Sequence, residues 1–155
     1  MLVNGKRSVQ IESVGENVTS RQTLEIQDLA IIVDRKTQKA IAINRVEKTY
    51  YESDGLMFSM LYNPIETYYT MSTMYNAVDQ GSETIAQIAC DKKNLMHGDI
   101  LVQTAWISKK YDFPVKIITY VHGKENMIFE LKNVTETPVD AKVFEIPEGY
   151  NKKQP

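Results

Sequence analysis

The chain has 155 residues, 43% of them apolar and 25% charged, with a formal charge of −2. That length suits one domain, residues 1–155, able to bury about 70% of the surface its unfolded form would expose. The near-neutral balance leaves no electrostatic footprint for nucleic acid, because the lysine pairs Lys92-Lys93, Lys109-Lys110 and Lys152-Lys153 are scattered and lack aromatic interleaving. They read as solubilising groups at turns and strand ends.

Taken in order, Met1-Leu2-Val3 runs straight into Asn4-Gly5-Lys6-Arg7 without an apolar leader core. Val9 and Ile11 alternate with Gln10 and Glu12, so the chain opens as if inside a strand. Two readings fit, a cytoplasmic protein or one whose leader has been removed, and the opening inside a strand favours a piece lacking its native leader and first element. Leu2 to Val14 reads as the first strand, with Gly15-Glu16-Asn17 as a turn. Leu24 to Asp34 is the second, and its aliphatic run Leu29 to Val33 suits a position covered on both faces. That run is far short of the ~20 residues of a spanning helix, so no transmembrane segment is expected. After the polar turn Asp34 to Lys39, Ala40 to Val46 is a third strand, which Thr49-Tyr50-Tyr51 extends or follows.

The pattern changes beyond Ser53-Asp54-Gly55. Met57, Leu61, Tyr68, Met71, Tyr75 and Val78 recur near the helical spacing of ~3.6 and predict the one substantial helix. Pro64 fixes its start, with Asn63 as N-cap and Glu66 at the third helical position. Leu56 to Tyr62 is then a separate helical turn or a short strand. A strand is predicted over Thr84 to Cys90 and a polar loop over Lys92 to Asp99. The only cysteine, Cys90, excludes an internal disulfide and shares a face with Ala86 and Ile88, as a small buried hydrophobe would.

From Ile100 the period is two. Ile100, Val102 and Trp106 alternate with Gln103 and Ala105, and Val115, Ile117 and Val121 with Lys116 and Tyr120. A third run sets Met127, Phe129 and Leu131 against Glu130 and Lys132, and His122-Gly123-Lys124-Glu125 marks a hairpin before it. Trp106 reads as a core anchor of this sheet. Strands joined by short polar turns imply antiparallel pairing. The expected fold class is α+β: a curved, mostly antiparallel sheet forming an incomplete barrel, with the helical segment covering its concave face.

Trp106-Ile107-Ser108-Lys109, Phe113-Pro114-Val115-Lys116, Leu131-Lys132-Asn133-Val134, Val139-Asp140 and Phe144-Glu145-Ile146-Pro147-Glu148-Gly149-Tyr150 together resemble the end of bacterial and archaeal envelope domains similar to the outer-membrane lipoprotein carriers. More narrowly, they resemble an uncharacterised family within that superfamily. Lys6-Arg7, Ile31-Ile32-Val33-Asp34 and Lys48-Thr49-Tyr50-Tyr51 lie upstream in the matching order. The resemblance implies an incomplete barrel, export to the periplasm or another extracytoplasmic compartment, and a concave face accepting acyl chains or a hydrophobic partner. The arginine that holds the lid in true carriers has no assignable counterpart here.

The candidate ligand-lining residues are Met57, Met60, Leu61, Tyr68, Met71, Met74 and Tyr75. Met57 and Met60, like Met71 and Met74, are three apart and share a helix face, and flexible thioethers suit an adaptable apolar surface. The same residues also read as filler between helix and sheet. Thioethers suit Cu(I) too, but no His or Cys stands at matching spacing. No nucleophile elbow or glycine-rich phosphate loop is present, and His97 and His122 each precede a glycine in a turn. With the envelope location that the resemblance implies, the expectation is a noncatalytic envelope domain without cofactor or metal, binding a lipid, an acyl chain or a lipidated protein. The alternative is a structural or protein-interaction module of the envelope whose cavity is filled by its own side chains.

Overall fold

Alternating strands broken by short polar turns, with one short helix among them, make up a computed structural model that describes residues 2–3, 6–7, 29–34, 36–54, 64–138 and 140–154. The chain divides into two compact units, Met1–Ser59 with Thr135–Pro155, and Met60–Val134. Among the described residues, pairing is antiparallel except at one short strand, and the sheets are open rather than closed into a barrel.

In the first unit, β1 (Leu2–Val3) pairs with β2 (Lys6–Arg7). A single strand from Leu2 to Val14 is thus corrected at its start. Asn4-Gly5, the dipeptide between the two, has hairpin chemistry that the alternation beyond it masks. The turn expected at Gly15 to Asn17 and the strand portion before Leu29 lie outside the described residues.

A four-stranded sheet follows, in the order β11 (Asn151–Lys152), β5 (Thr49–Asp54), β4 (Lys39–Asn44), β3 (Leu29–Asp34). The aliphatic run does not take the doubly covered place, because among the described residues β3 is an edge, and Ala30 to Val33 are only half-buried. Burial on successive residues belongs to the inner strand β4, at Ala42 and Ile43. Asp34 and Asn44 make the two hairpin loops in the same way. Asp34 Oδ1 accepts from the amides of Lys36 and Thr37 at 2.9 and 3.2 Å, and Asn44 Oδ1 from those of Val46 and Glu47 at 3.0 Å each. This Asx turn ends β4 at Asn44, so the predicted continuation to Val46 fails and Val46 is 70% exposed.

The exception to antiparallel pairing is β11, which runs parallel to β5 with Asn151 opposite Thr49 and Lys152 opposite Tyr50. A 3-10 turn at Ala141–Phe144, capped by Asp140, precedes it. Lys152 Nζ meets Glu52 Oε2 at 2.6 Å, and Lys153 pairs with Glu47. Hydrogen bonding and then charge from these lysines hold both carboxyls below their ordinary range, and the Glu52 bond raises the Lys152 ammonium above its own. A lowered carboxyl supports the fold above its unfolded value and withdraws that support as pH falls through the lowered one; a raised lysine does so as pH rises through its raised value. The amides of Asn151 and Lys153, bonded to Lys48 O at 3.0 Å and Tyr50 O at 2.7 Å, are therefore expected to keep their hydrogen-exchange protection near neutrality. They should lose it, relative to amides of β4, once pH drops below the ordinary carboxyl value of 4.5. Protection unchanged to acid pH would mean that the backbone bonds alone hold the tail.

The second unit holds α1 (Pro64–Met74) and a five-stranded antiparallel meander, β6 (Asn76–Ile85), β7 (Ile88–His97), β8 (Ile100–Ser108), β9 (Pro114–Val121) and β10 (Lys124–Glu130), in the spatial order β10-β9-β8-β7-β6. The helix begins at Pro64 as the sequence implies; Asn63 and the segment Leu56 to Tyr62 lie outside the described residues. It ends earlier than predicted. Val78 belongs to β6, an edge strand, and its helical spacing from Tyr75 is coincidental.

The strand predicted over Thr84 to Cys90 is instead a hairpin. Thr84 pairs with Ala89 and Ile85 with Ile88, and the chain turns at Ala86 and Gln87 with φ of 48° and 66°. Both turn residues occupy the left-handed region that glycine and asparagine usually fill, so the local sequence carried no turn signal. The loop predicted at Lys92 to Asp99 is likewise strand as far as His97. Lys92 is held mid-strand against Trp106, and Lys109 reaches Ser82 Oγ at 2.9 Å and Asp91 Oδ1 at 3.3 Å, so these lysines are cross-strand partners. The expected hairpin between β9 and β10 forms with His122 and Gly123 as its turn, at φ of 51° and 74°.

Two bulges decide which side chains share a face. Leu95 pairs with Gln103 and Met96 with Leu101, leaving Val102 extra; Trp106 pairs with Lys116 and Ile107 with Pro114, leaving Val115 extra. Val115 therefore joins Cys90, Trp106 and Ile118 in one cluster, while Ile117 joins Tyr68, Leu95 and Ala105 in the other. The predicted grouping of Val115, Ile117 and Val121 is corrected accordingly, and Val121 is exposed. Phe129 and Leu131 also part, Phe129 to the Tyr68 cluster and Leu131 to the Trp106 cluster. Being the central strand, β8 buries four consecutive residues, Gln103 to Trp106. The expected inward face of Ile100, Val102 and Trp106 with Gln103 and Ala105 outward is thus overturned, and Ile100 is 65% exposed.

Candidate functional site

The face of the five-stranded sheet that receives α1 is built from one apolar residue on each of four neighbouring strands. Leu95 on β7, Ala105 on β8 and Ile117 on β9 are fully buried, and Phe129 on β10 packs at their margin. Ala105 stands opposite Ile117, and Ile117 opposite Phe129, while Leu95, whose direct partner is Gln103, joins the row diagonally from Ala105. Onto this row α1 sets Tyr68, with Tyr69, Met71 and Tyr75 around it. Burying a large aliphatic side chain stabilises by about 1.5–3 kcal/mol, so this row is a main source of the unit's stability.

The helix is tied to the sheet by one hydrogen bond at its middle and one ring contact just past its end. Tyr69 donates its hydroxyl to the backbone oxygen of Asp112 at 2.9 Å, in the turn between β8 and β9. Beyond the last turn, the Tyr75 ring lies 5.4 Å from that of His97 at the end of β7. The Tyr68 and Tyr69 rings meet edge to face at 5.6 Å, and burial pushes the Tyr68 hydroxyl above its ordinary pKa. Glu66, in the first turn, is buried and has a partner within the protein.

Of the seven residues singled out in the sequence, the structure brings three together on this row: Tyr68, Met71 and Tyr75. Met74 does not share their face; it is 68% exposed at the helix end. Met57, Met60 and Leu61 lie outside the described residues. Sequence reasoning missed the sheet side of the site. Leu95 falls in the stretch whose polarity predicts a loop, and alternation points Gln103 and Ala105 outward; only the place of β7 and β8 inside the sheet, which no local pattern reveals, puts these residues in the core.

Gln103 is the unusual member. It is fully buried opposite both Leu95 and Thr119, and its Nε2 donates to Thr119 Oγ1 at 3.0 Å. Its Oε1 is buried without a hydrogen-bond partner.

On the opposite face Trp106 is 6% exposed and donates Nε1–H to Glu83 Oε2 at 2.8 Å. The ammonium groups of Lys92 and Lys116 lie 5.2 and 5.0 Å from its ring centroid, a cation–π arrangement that packs it as the anchor the sequence suggested. Cys90 is fully buried in the same cluster as a free thiol, and burial pushes its pKa up, away from nucleophilic reactivity.

An open concavity of about 530 Å³ at the end of the sheet is lined by Asp99, Ile100, Leu101, Tyr120, His122 and Gly123, and one of about 120 Å³ in the first unit by residues of β4 and β5. Neither is lined by a residue of α1. Among the described residues, no three His, Cys, Asp or Glu side chains converge as metal ligands, and no helix is long and apolar enough to cross a membrane.

A family model described as a domain of unknown function, DUF4412, matches residues 104–150, from within β8 through β10 to the segment just before β11. This is less than half of the chain, and it coincides with most of the stretch on which the sequence resemblance rests. No curated protein and no solved structure matches the chain.

Proposed function

We propose that the chain is a noncatalytic binding module of the cell envelope, taking a lipid or acyl chain against the row Leu95, Ala105, Ile117 and Phe129, with α1 as a displaceable cover. The observation that carries this reading is the nature of the cover. Eleven residues are too few to hold a helix in water without tertiary support, since isolated helices shorter than about 12–15 residues are marginal. The helix therefore owes its place to Tyr68, Met71 and Tyr75 and to the Tyr69 anchor. An acyl chain offers the sheet the same kind of contact, and polarizable Met71 can repack around it. The resemblance to the lipoprotein carriers supports the reading and supplies the envelope location. Transport of lipoproteins is not part of the proposal, because the carriers' lid arginine has no counterpart.

A second reading, a structural or protein-interaction module, is favoured by one observation: the seam is closed by its own side chains, with Tyr68 only 6% exposed and the residues beneath it fully buried. Native mass spectrometry of the purified chain, beside analysis of its organic extract, separates the two. The binding reading expects a co-purifying acyl lipid near one per chain, or uptake on incubation with fatty acids and phospholipids. A lipid-free mass that no such incubation changes would overturn it in favour of the interaction module.

A further inference from the structure

We infer that the ligand accepted under α1 carries a hydrogen-bond donor at its polar end, such as a hydroxyl, an amide N–H or an un-ionised carboxyl, and that Gln103 receives it. The inference rests on the binding reading above and names the ligand class for the same site. Gln103 lies opposite Leu95 on one side and Thr119 on the other, and directly opposed residues share a face. Two residues along β8 is Ala105, on the row beneath the helix. The side chain is therefore part of the covered face and borders the apolar row.

Its amide is half used. Nε2 is bonded to Thr119 Oγ1 at 3.0 Å, whereas Oε1 is buried and unpaired. A buried acceptor in that state has given up water and gained nothing, which is why the great majority of such atoms in folded proteins have partners. A leucine at this position would occupy similar volume without the deficit, so a glutamine costs stability there unless something uses it. The chemistry of Oε1 then selects among occupants. A plain hydrocarbon leaves it unpaired. An ionised carboxylate or a phosphodiester presents acceptor oxygens to an acceptor. A donor-bearing head group satisfies it, while its chain follows the row from Ala105 toward Ile117 and Phe129.

The test uses the whole chain and three ligands with the same alkyl chain: dodecanol, dodecanamide and methyl dodecanoate. Affinities are measured by equilibrium dialysis on the unaltered protein and on Gln103→Leu, with a thermal melt to confirm folding. The alcohol and the primary amide are expected to bind about tenfold more tightly than the ester, the equivalent of one net hydrogen bond. In Gln103→Leu all three should converge to within about twofold, with the ester's affinity retained. Equal binding of the three to the unaltered protein, tighter binding of the ester, or a donor preference that survives in Gln103→Leu would overturn the assignment while leaving the binding reading in place. If none of the three binds and the extract is lipid-free, both fall. The comparison among ligands on the unaltered protein decides the matter even if the variant does not fold.

Discussion

Truncating Leu95 to alanine is expected to lower the stability of the second unit by about 3–5 kcal/mol, the cost of losing a buried side chain and leaving a cavity. Leu95 is fully buried beneath Tyr68, between strands paired on both sides, so the site has little room to collapse. Natural domains have about 5–15 kcal/mol in total, which makes this a large fraction of the whole. Trp106 is the only tryptophan and lies in the same unit, so its fluorescence during denaturant unfolding reports on this transition. The midpoint should fall with the slope unchanged. A loss below about 0.5 kcal/mol would contradict the packed row, because that is the range of surface substitutions.

The second large effect separates two methionines that the sequence treats alike. Met71→Asp should cost about 2–4 kcal/mol, since it places a carboxylate against the apolar row with no cation among the residues of that cluster. Met74→Asp should stay within about 0.5 kcal/mol, as Met74 is exposed. Equal losses for the pair would mean that α1 is rotated from the orientation described. The same two proteins bear on function. Under the binding reading Met74→Asp retains ligand uptake, and any folded fraction of Met71→Asp loses it.

The parts of the fold that were legible in the sequence are those whose chemistry is local. Pro64 marked a helix start, Asp34 and His122-Gly123 marked turns, and the single cysteine advertised its burial. What escaped depends on neighbours far along the chain. Ala86 and Gln87 turn with left-handed backbone that neither residue type favours, so the register of β6 on β7 must be set by their cross-strand contacts. The bulges at Val102 and Val115 each shift one strand's facing by a residue, and a bulge is invisible to an alternation count made on a single strand. Half of the candidate site was therefore within reach, by periodicity: Tyr68 and Met71 on the helix and Tyr75 just past its end. The floor beneath them, including Gln103, was not, because only a strand's place within the sheet decides whether both of its faces are covered.

The parallel strand β11 also has a consequence for the order in which the molecule is assembled. Strands β3 to β5 emerge from the ribosome early, yet the far side of β5 receives its partner only after residues 151–152 have been synthesised. Until then Thr49 and Tyr50 of β5 lack the partner that β11 supplies, while the meander between them in sequence, whose strands all pair with sequence neighbours, can complete its own ladder. The nascent chain thus carries a finished second unit beside an unfinished first one. Release of the tail, with Lys152 and Lys153 guided toward Glu52 and Glu47, is the step that pairs Thr49 and Tyr50 on that side.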